Sequence, residues 1–140
     1  MISDFETFKQ SAKFNKKLYE FGRKHEKQNL DLFRKFFEDE TIHLLPEGSY
    51  FDYEGHDIKI ELKTRNCSVH KYLDTAITTH KFIQASLQSK TVYFIFEFTD
   101  GIFYFKYDPK DTSMFDTIRT YDIRGVSHKF IPKHKLVKLK

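Results

Sequence analysis

Acids and lysines that alternate with apolar residues mark the part of this chain best suited to chemistry. In Asp57-Ile58-Lys59-Ile60-Glu61-Leu62-Lys63, the apolar residues Ile58, Ile60 and Leu62 recur at every second position. A strand projects alternate side chains to opposite faces, so Asp57, Lys59, Glu61 and Lys63 share the other face. Ser49 to Glu54 reads as a partner strand, with a tight turn at Gly55-His56. That closure sets Glu54 opposite Asp57 and Asp52 opposite Lys59, leaving Asp52 diagonal to Glu61. Such a diagonal spans ~7–8 Å between backbones, a gap two carboxylates can bridge with one cation between them. Two acids and an amine then converge on one sheet face, with Tyr50 as its aromatic. Carboxylate oxygens suit a hard ion such as Mg²⁺. An ion there neutralises a phosphate, activates a bound water and stabilises the leaving oxygen. The lysine orients or deprotonates that water, or offsets charge on the phosphorane. The competing description is a solvated face of weak cross-strand ion pairs.

The elements that must position these groups are legible from periodicity. Ser3-Asp4-Phe5-Glu6 reads as a capping box opening a helix, and a second helical stretch runs from about Gly22 to Glu38. In it Glu26, Leu30, Phe33 and Phe37 fall on one face, so Glu26 leads an apolar stripe that packs on the sheet. A carboxylate buried there needs a partner or a metal; Arg23 and Lys24 are the nearby alternatives. Leu73 to Ser89 reads as helix. Thr91 to Thr99 reads as a buried central strand, followed by a turn at Asp100-Gly101 and a strand from Ile102 to Tyr107. Lys129 to Leu139 reads as a last strand, at an edge because of Pro132. Phe115 to Thr120 is ambiguous. The order α, β, β, α, β, β, β predicts one α/β (α+β) domain with a mixed sheet flanked by helices. It divides into a helical extension over 1–20, a core over 21–108 and a basic C-terminal segment over 109–140.

Composition narrows the class. The chain has 140 residues, 39% of them hydrophobic and 17% aromatic, enough for one core. Net charge is +4, and no acid follows Asp122, whereas Arg124, Lys129, Lys133 and Lys135 do. A one-sign tail meets phosphate or is solvated. The lone Cys67 excludes an internal disulfide and a cysteine-rich zinc site. The seven histidines form no paired zinc motif, and no Walker, dinucleotide or serine-hydrolase motif occurs. With no apolar leader and no long apolar run, the expectation is an intracellular, cytoplasmic protein, nuclear or viral if the source demands it, without a membrane partner or nucleotide cofactor.

Asp52, followed by Glu61-Leu62-Lys63 within IELKTR, resembles the PD-(D/E)XK nuclease superfamily. Phe21-Gly22-Arg23-Lys24-His25-Glu26 is similar to the G-x-x-x-E helix start of its Holliday-junction-resolvase branch. The resemblance spans residues 20 to 108, and Phe51 stands where the motif's proline is expected. It implies a restriction-endonuclease-like αβββαβ core and a Mg²⁺- or Mn²⁺-dependent endonuclease acting on duplex or branched DNA in repair or recombination. Asp52, Glu61 and Glu26 would be metal ligands and Lys63 the catalytic lysine. Lys81, Gln84 or Gln88 would be the accessory group from the next helix. Lys59, Arg65, Arg124, Lys129, Lys133 and Lys135 would hold the DNA backbone. A homodimer with one site per strand follows from the need to cut two strands. The alternative is a catalytically inactive nucleic-acid-binding module of the same fold.

Overall fold

The computed structural model describes residues 16–110, 120–123 and 126–140. The capping box at Ser3, the stretch from Phe115 and Arg124 lie outside these residues. Helix α1 (Lys16–Gln28) runs through Gly22 without a break and stops at Asn29. Helix α2 (Leu30–Phe36) follows at once. At the junction the Asn29 side chain shares the His25 carbonyl with its own N–H: Nδ2 donates to that carbonyl at 3.0 Å and to Glu97 Oε2 at 3.1 Å. An amide that bonds nearby backbone competes with helix continuation.

Next come β1 (His43–Leu44), β2 (Tyr53–Glu54) and β3 (Ile58–Thr64), which pair antiparallel in sequence. Strand β4 (Asp74–Thr78) and helix α3 (Thr79–Ser86) lead to β5 (Thr91–Phe98), which returns parallel to β3. Strand β6 (Gly101–Lys106) pairs antiparallel with β5, and β9 (Val137–Lys138) closes that edge. The six-stranded sheet is thus mixed, in the order β1-β2-β3-β5-β6-β9. A second sheet joins β4 to β8 (Val126–Pro132) and β7 (Thr120–Ile123), in the order β4-β8-β7. The mixed α/β class expected from the sequence is what the structure has.

Alternation along β5 sorts the core onto both faces of the large sheet. Ile95, with Ile60, Leu62 and Tyr53, packs under Phe33 of α2. The Phe33 and Tyr53 rings meet edge-on at 5.1 Å, a contact worth about 0.5–1.5 kcal/mol beyond area burial. Val92, Phe94 and Phe96 face the other way, under Phe82 and Ala85 of α3 and Ile77 and Ile131 of the second sheet. Among the described residues no helix is long and apolar enough to cross a membrane.

Several expectations need correction. The helix expected from Gly22 to Glu38 is two helices that meet at Asn29, and the strand expected over Ser49 to Glu54 is only Tyr53–Glu54. Leu73 to Ser89 is not one helix: 74–78 is strand β4, and Leu73 is 83% exposed. The β-branched Thr75, Ile77 and Thr78 favour a strand, with Thr75 and Ile77 buried on one side. Lys129 to Leu139 is not one strand: β8 ends at Pro132, and the 3₁₀ turn Lys133–Lys135 separates it from β9. β8 lies between β4 and β7 rather than at an edge. The hairpin turn is His56-Asp57 rather than Gly55-His56, because Gly55 N donates to Ile58 O at 2.9 Å.

Candidate active site

The turn shift sets the register of the candidate site. Tyr53 pairs with Ile60 and Glu54 with Lys59. Each β2 residue therefore meets a β3 residue two places later than the sequence suggested. A slip of two preserves the face, because side chains repeat every second residue. Asp52, just ahead of β2, is not paired with Lys59; its N–H bonds Ile60 O and its carboxyl lies within the field of Glu61.

Asp52 sits just ahead of β2, where the ladder gives way to side-chain bonding. Its N–H donates to Ile60 O at 2.9 Å, and its carbonyl accepts from Leu45 N at 2.8 Å. Its Oδ2 accepts from Leu62 N at 2.8 Å. The carboxylate thus takes the place of a strand carbonyl and ends the β3 ladder. Three backbone bonds fix this acid.

Glu61 is almost wholly buried, at 3% exposure. Lys63 Nζ lies 3.1 Å from Glu61 Oε2, and Lys81 Nζ lies 3.4 Å from Oε1. Oε1 itself has no hydrogen bond. Lys63 follows Glu61 by two places on one strand, so both point to the same side. Lys81 arrives from α3, whose first turn is capped by Thr78 Oγ1 accepting from Lys81 N at 3.4 Å. Its ammonium also lies 5.5 Å from the centre of the Phe51 ring.

Glu26 reaches the same acids from α1, where its carboxyl hydrogen-bonds that of Asp52. Arg23 clamps it: Nη1 donates to Glu26 Oε2 at 2.7 Å and Nη2 to Leu45 O at 3.1 Å. The Tyr53 hydroxyl donates to the Glu26 carbonyl. The two descriptions of Glu26 left open by the sequence, a partner of Arg23 and a member of the acid cluster, therefore hold together.

Electrostatics follow from this crowding. Burial holds the Asp52 carboxyl well above the usual range, and the charges of Glu61 and Glu26 push the same way. Burial also raises Glu26, against the pull of Arg23. The Glu61 carboxylate raises the Lys63 ammonium, with Asp52 adding to it. Burial raises the Tyr53 phenol, with Glu26 and Asp52 adding to it. Protons and amines hold the three acids together. Among the described residues no group of three or more acids, histidines or cysteines is arranged to hold a metal ion.

The chemistry of the donors nevertheless fits a hard divalent cation. Buried carboxyls whose charges oppose one another, with one Glu61 oxygen lacking a hydrogen bond, leave donor capacity that a divalent ion would satisfy. Asp52 and Glu61, with Glu26, are the residues that could hold it.

The remaining sequence candidates separate by place. Lys81 joins the site, whereas Gln88 turns back, its Nε2 donating to the Gln84 carbonyl at 3.0 Å. Tyr50 is exposed against the His80 ring, 5.5 Å between centres. Lys59 lies 3.9 Å from Glu54 and 5.8 Å from the Phe51 ring centre. Arg65, expected on DNA, is taken up structurally: Nη2 donates to Ala76 O at 2.6 Å and Nε to Thr75 Oγ1 at 3.2 Å. Lys129 lies over the Phe82 ring. Lys133 lines a cavity beside Lys63, and Lys135 a different groove beside Lys106 and Lys110.

Sequence reasoning missed Glu97, which packs against α1, its Oε2 2.7 Å from His25 Nδ1. Its signal was a single acid inside the apolar run of β5. Compared with family models, curated proteins and solved structures, the chain finds no match.

Proposed function

We propose that this chain is a Mg²⁺-dependent DNA endonuclease. The observation that carries the reading is the Asp52–Glu61–Lys63 cluster at the open end of the hairpin, joined by Glu26 from the preceding helix. The reading is supported by the order helix, three antiparallel strands, helix and parallel return strand, with β4 of the second sheet inserted before the second of these helices.

When bound, a divalent cation supplies charge neutralisation at the phosphate and a hydroxide at neutral pH. Asp52 and Glu61 would hold it, with Glu26 joining from α1. Without the ion, the Glu61 carboxylate raises the affinity of Lys63 for its proton. Its ammonium, 3.1 Å from Glu61 Oε2, is placed to face charge that develops on the phosphoryl oxygens. Arg23 positions Glu26 and, through Leu45 O, the segment hydrogen-bonded to Asp52. Cutting both strands of a duplex calls for a second copy or a second binding event.

A second reading, a non-catalytic nucleic-acid-binding module, is favoured by one feature: each Glu61 oxygen already has an ammonium within 3.4 Å. Incubating supercoiled and branched DNA with Mg²⁺, Mn²⁺ or EDTA separates the two. The endonuclease reading expects cutting with either metal and none with EDTA. Asp52→Ala, Glu61→Ala and Lys63→Ala should each abolish cutting while the fold persists. Binding that is unchanged by EDTA, with no cutting under any condition, decides for the module.

A further inference from the structure

A cavity of about 530 Å³ opens between the end of β3 and the second sheet. Lys63 lines it, so it begins where the candidate catalytic cluster ends. Phe98 and Phe130 give it apolar walls, and Thr75 and Thr78 add hydroxyls. Lys133 lies on it too. Tyr72 lines it and is 60% exposed, with Lys71 Nζ 5.3 Å from the centre of its ring. The Arg65 guanidinium ties β4 to the end of β3, so the space is preformed.

We propose that this cavity receives one unstacked nucleotide of single-stranded or locally unpaired DNA, next to the phosphate that faces Lys63. The inference rests on the nuclease reading and names its substrate class. A nucleobase needs flat apolar contact for its faces, donors and acceptors for its edges, and cations for the phosphates on either side. Phe98, Phe130 and Tyr72 supply the first; Thr75 and Thr78, whose oxygens accept from Arg65 and Lys81 but whose O–H can still donate, the second; Lys63 and Lys133 the third. The volume lies in the range of pockets that enclose small organic groups. A base inside an intact duplex reaches such a space only by leaving its stack, so unpaired strands bind preferentially.

The test uses Cys67, the chain's one thiol, which lines the same cavity and is half-buried. The rate of its alkylation by a maleimide is measured in EDTA, where no cutting occurs. Short oligothymidylate at saturation should slow it several-fold, because a base in the cavity covers the thiol. A fully paired duplex of equal length should leave the rate unchanged. Tyr72→Ala should lose most of the protection and Tyr72→Phe should keep it; the exposure of Tyr72 makes both tolerable to the fold. Equal protection by duplex, no protection by either DNA, or equal protection by free thymidine monophosphate overturns the assignment. Protection without Mg²⁺-driven cutting removes the nuclease reading and leaves the pocket. Cutting of unpaired DNA without protection removes the pocket alone.

Discussion

At the residue scale, the site places acids where stability alone would not. Asp52 is raised chiefly by burial, then by Glu61 and Glu26. A carboxyl with a raised folded-state affinity binds its proton more tightly in the native than in the unfolded chain. Its contribution is therefore fully present below the unfolded value of about 4 and is lost as pH rises through the folded one. Asp52→Asn should consequently be more stable than the parent at pH 8, by about 1–3 kcal/mol or a few degrees in Tm. The gain should vanish near pH 4. The asparagine oxygen can still accept from Leu62 N. Mg²⁺ should raise the parent's Tm and leave that of Asp52→Asn much less affected. Thermal melts at both pH values, with and without the ion, check each part. Lys63 carries the complementary expectation. As a held cation it should be replaced by methionine with a loss of roughly 10²–10³ in cutting rate. The parent's rate should show no loss from Lys63 deprotonation up to pH 9, as a pH–rate series would reveal. These residues were legible in the sequence because period-two alternation needs no tertiary information. The bonding of Glu26 to both Arg23 and Asp52 was not, since it depends on the angle at which α1 crosses the hairpin.

At the element scale, the hairpin's register decides which acid meets which, and a turn sets the register. Gly55 stands where a Cβ would lie 2.4 Å from Asp39 Oδ2 and 2.9 Å from Ile42 Cγ1. Asp39 is itself engaged, its Oδ2 accepting from His56 N at 2.9 Å and its Oδ1 from Thr41 N at 2.8 Å. The close approach of the turn to this segment, rather than a left-handed backbone, requires the glycine. Gly55→Ala should therefore destabilise by about 1–3 kcal/mol, read from the urea midpoint, because Ile42 is fully buried and cannot move aside. Sequence pattern predicted a hairpin here but misplaced its turn by one residue. The glycine suggested a turn position, whereas its reason is the neighbouring loop. The same limit hid β4. Its β-branched residues compete locally with the helix they precede, and only pairing with β8, over fifty residues later, resolves the competition. Arg65 bonds to β4. Arg65→Ala should cost about 2–3 kcal/mol by leaving buried acceptors unpaired, measured by denaturation.

At the scale of the whole molecule, a basic tail is not one basic surface. The six-residue span from Pro132 to Val137 turns the chain from the second sheet to the edge of the first. Lys133 and Lys135 thereby part company. Lys133 lies on the cavity shared with Lys63, and Lys135 on a groove formed with Lys106 and Lys110. A net charge of +4 attracts polyanions in general. Only cations that contact a phosphate of the bound strand contribute to the salt dependence of its binding, and the proposed path runs past Lys133. Lys133→Ala should therefore weaken binding of unpaired DNA and reduce the slope of log affinity against log salt by about one. Lys135→Ala should leave that slope unchanged. Anisotropy titrations from low to physiological salt, in EDTA, measure both. Equal losses for the two variants would mean that the strand crosses the sheet edge instead, with Lys63 at one end of its path rather than at its centre.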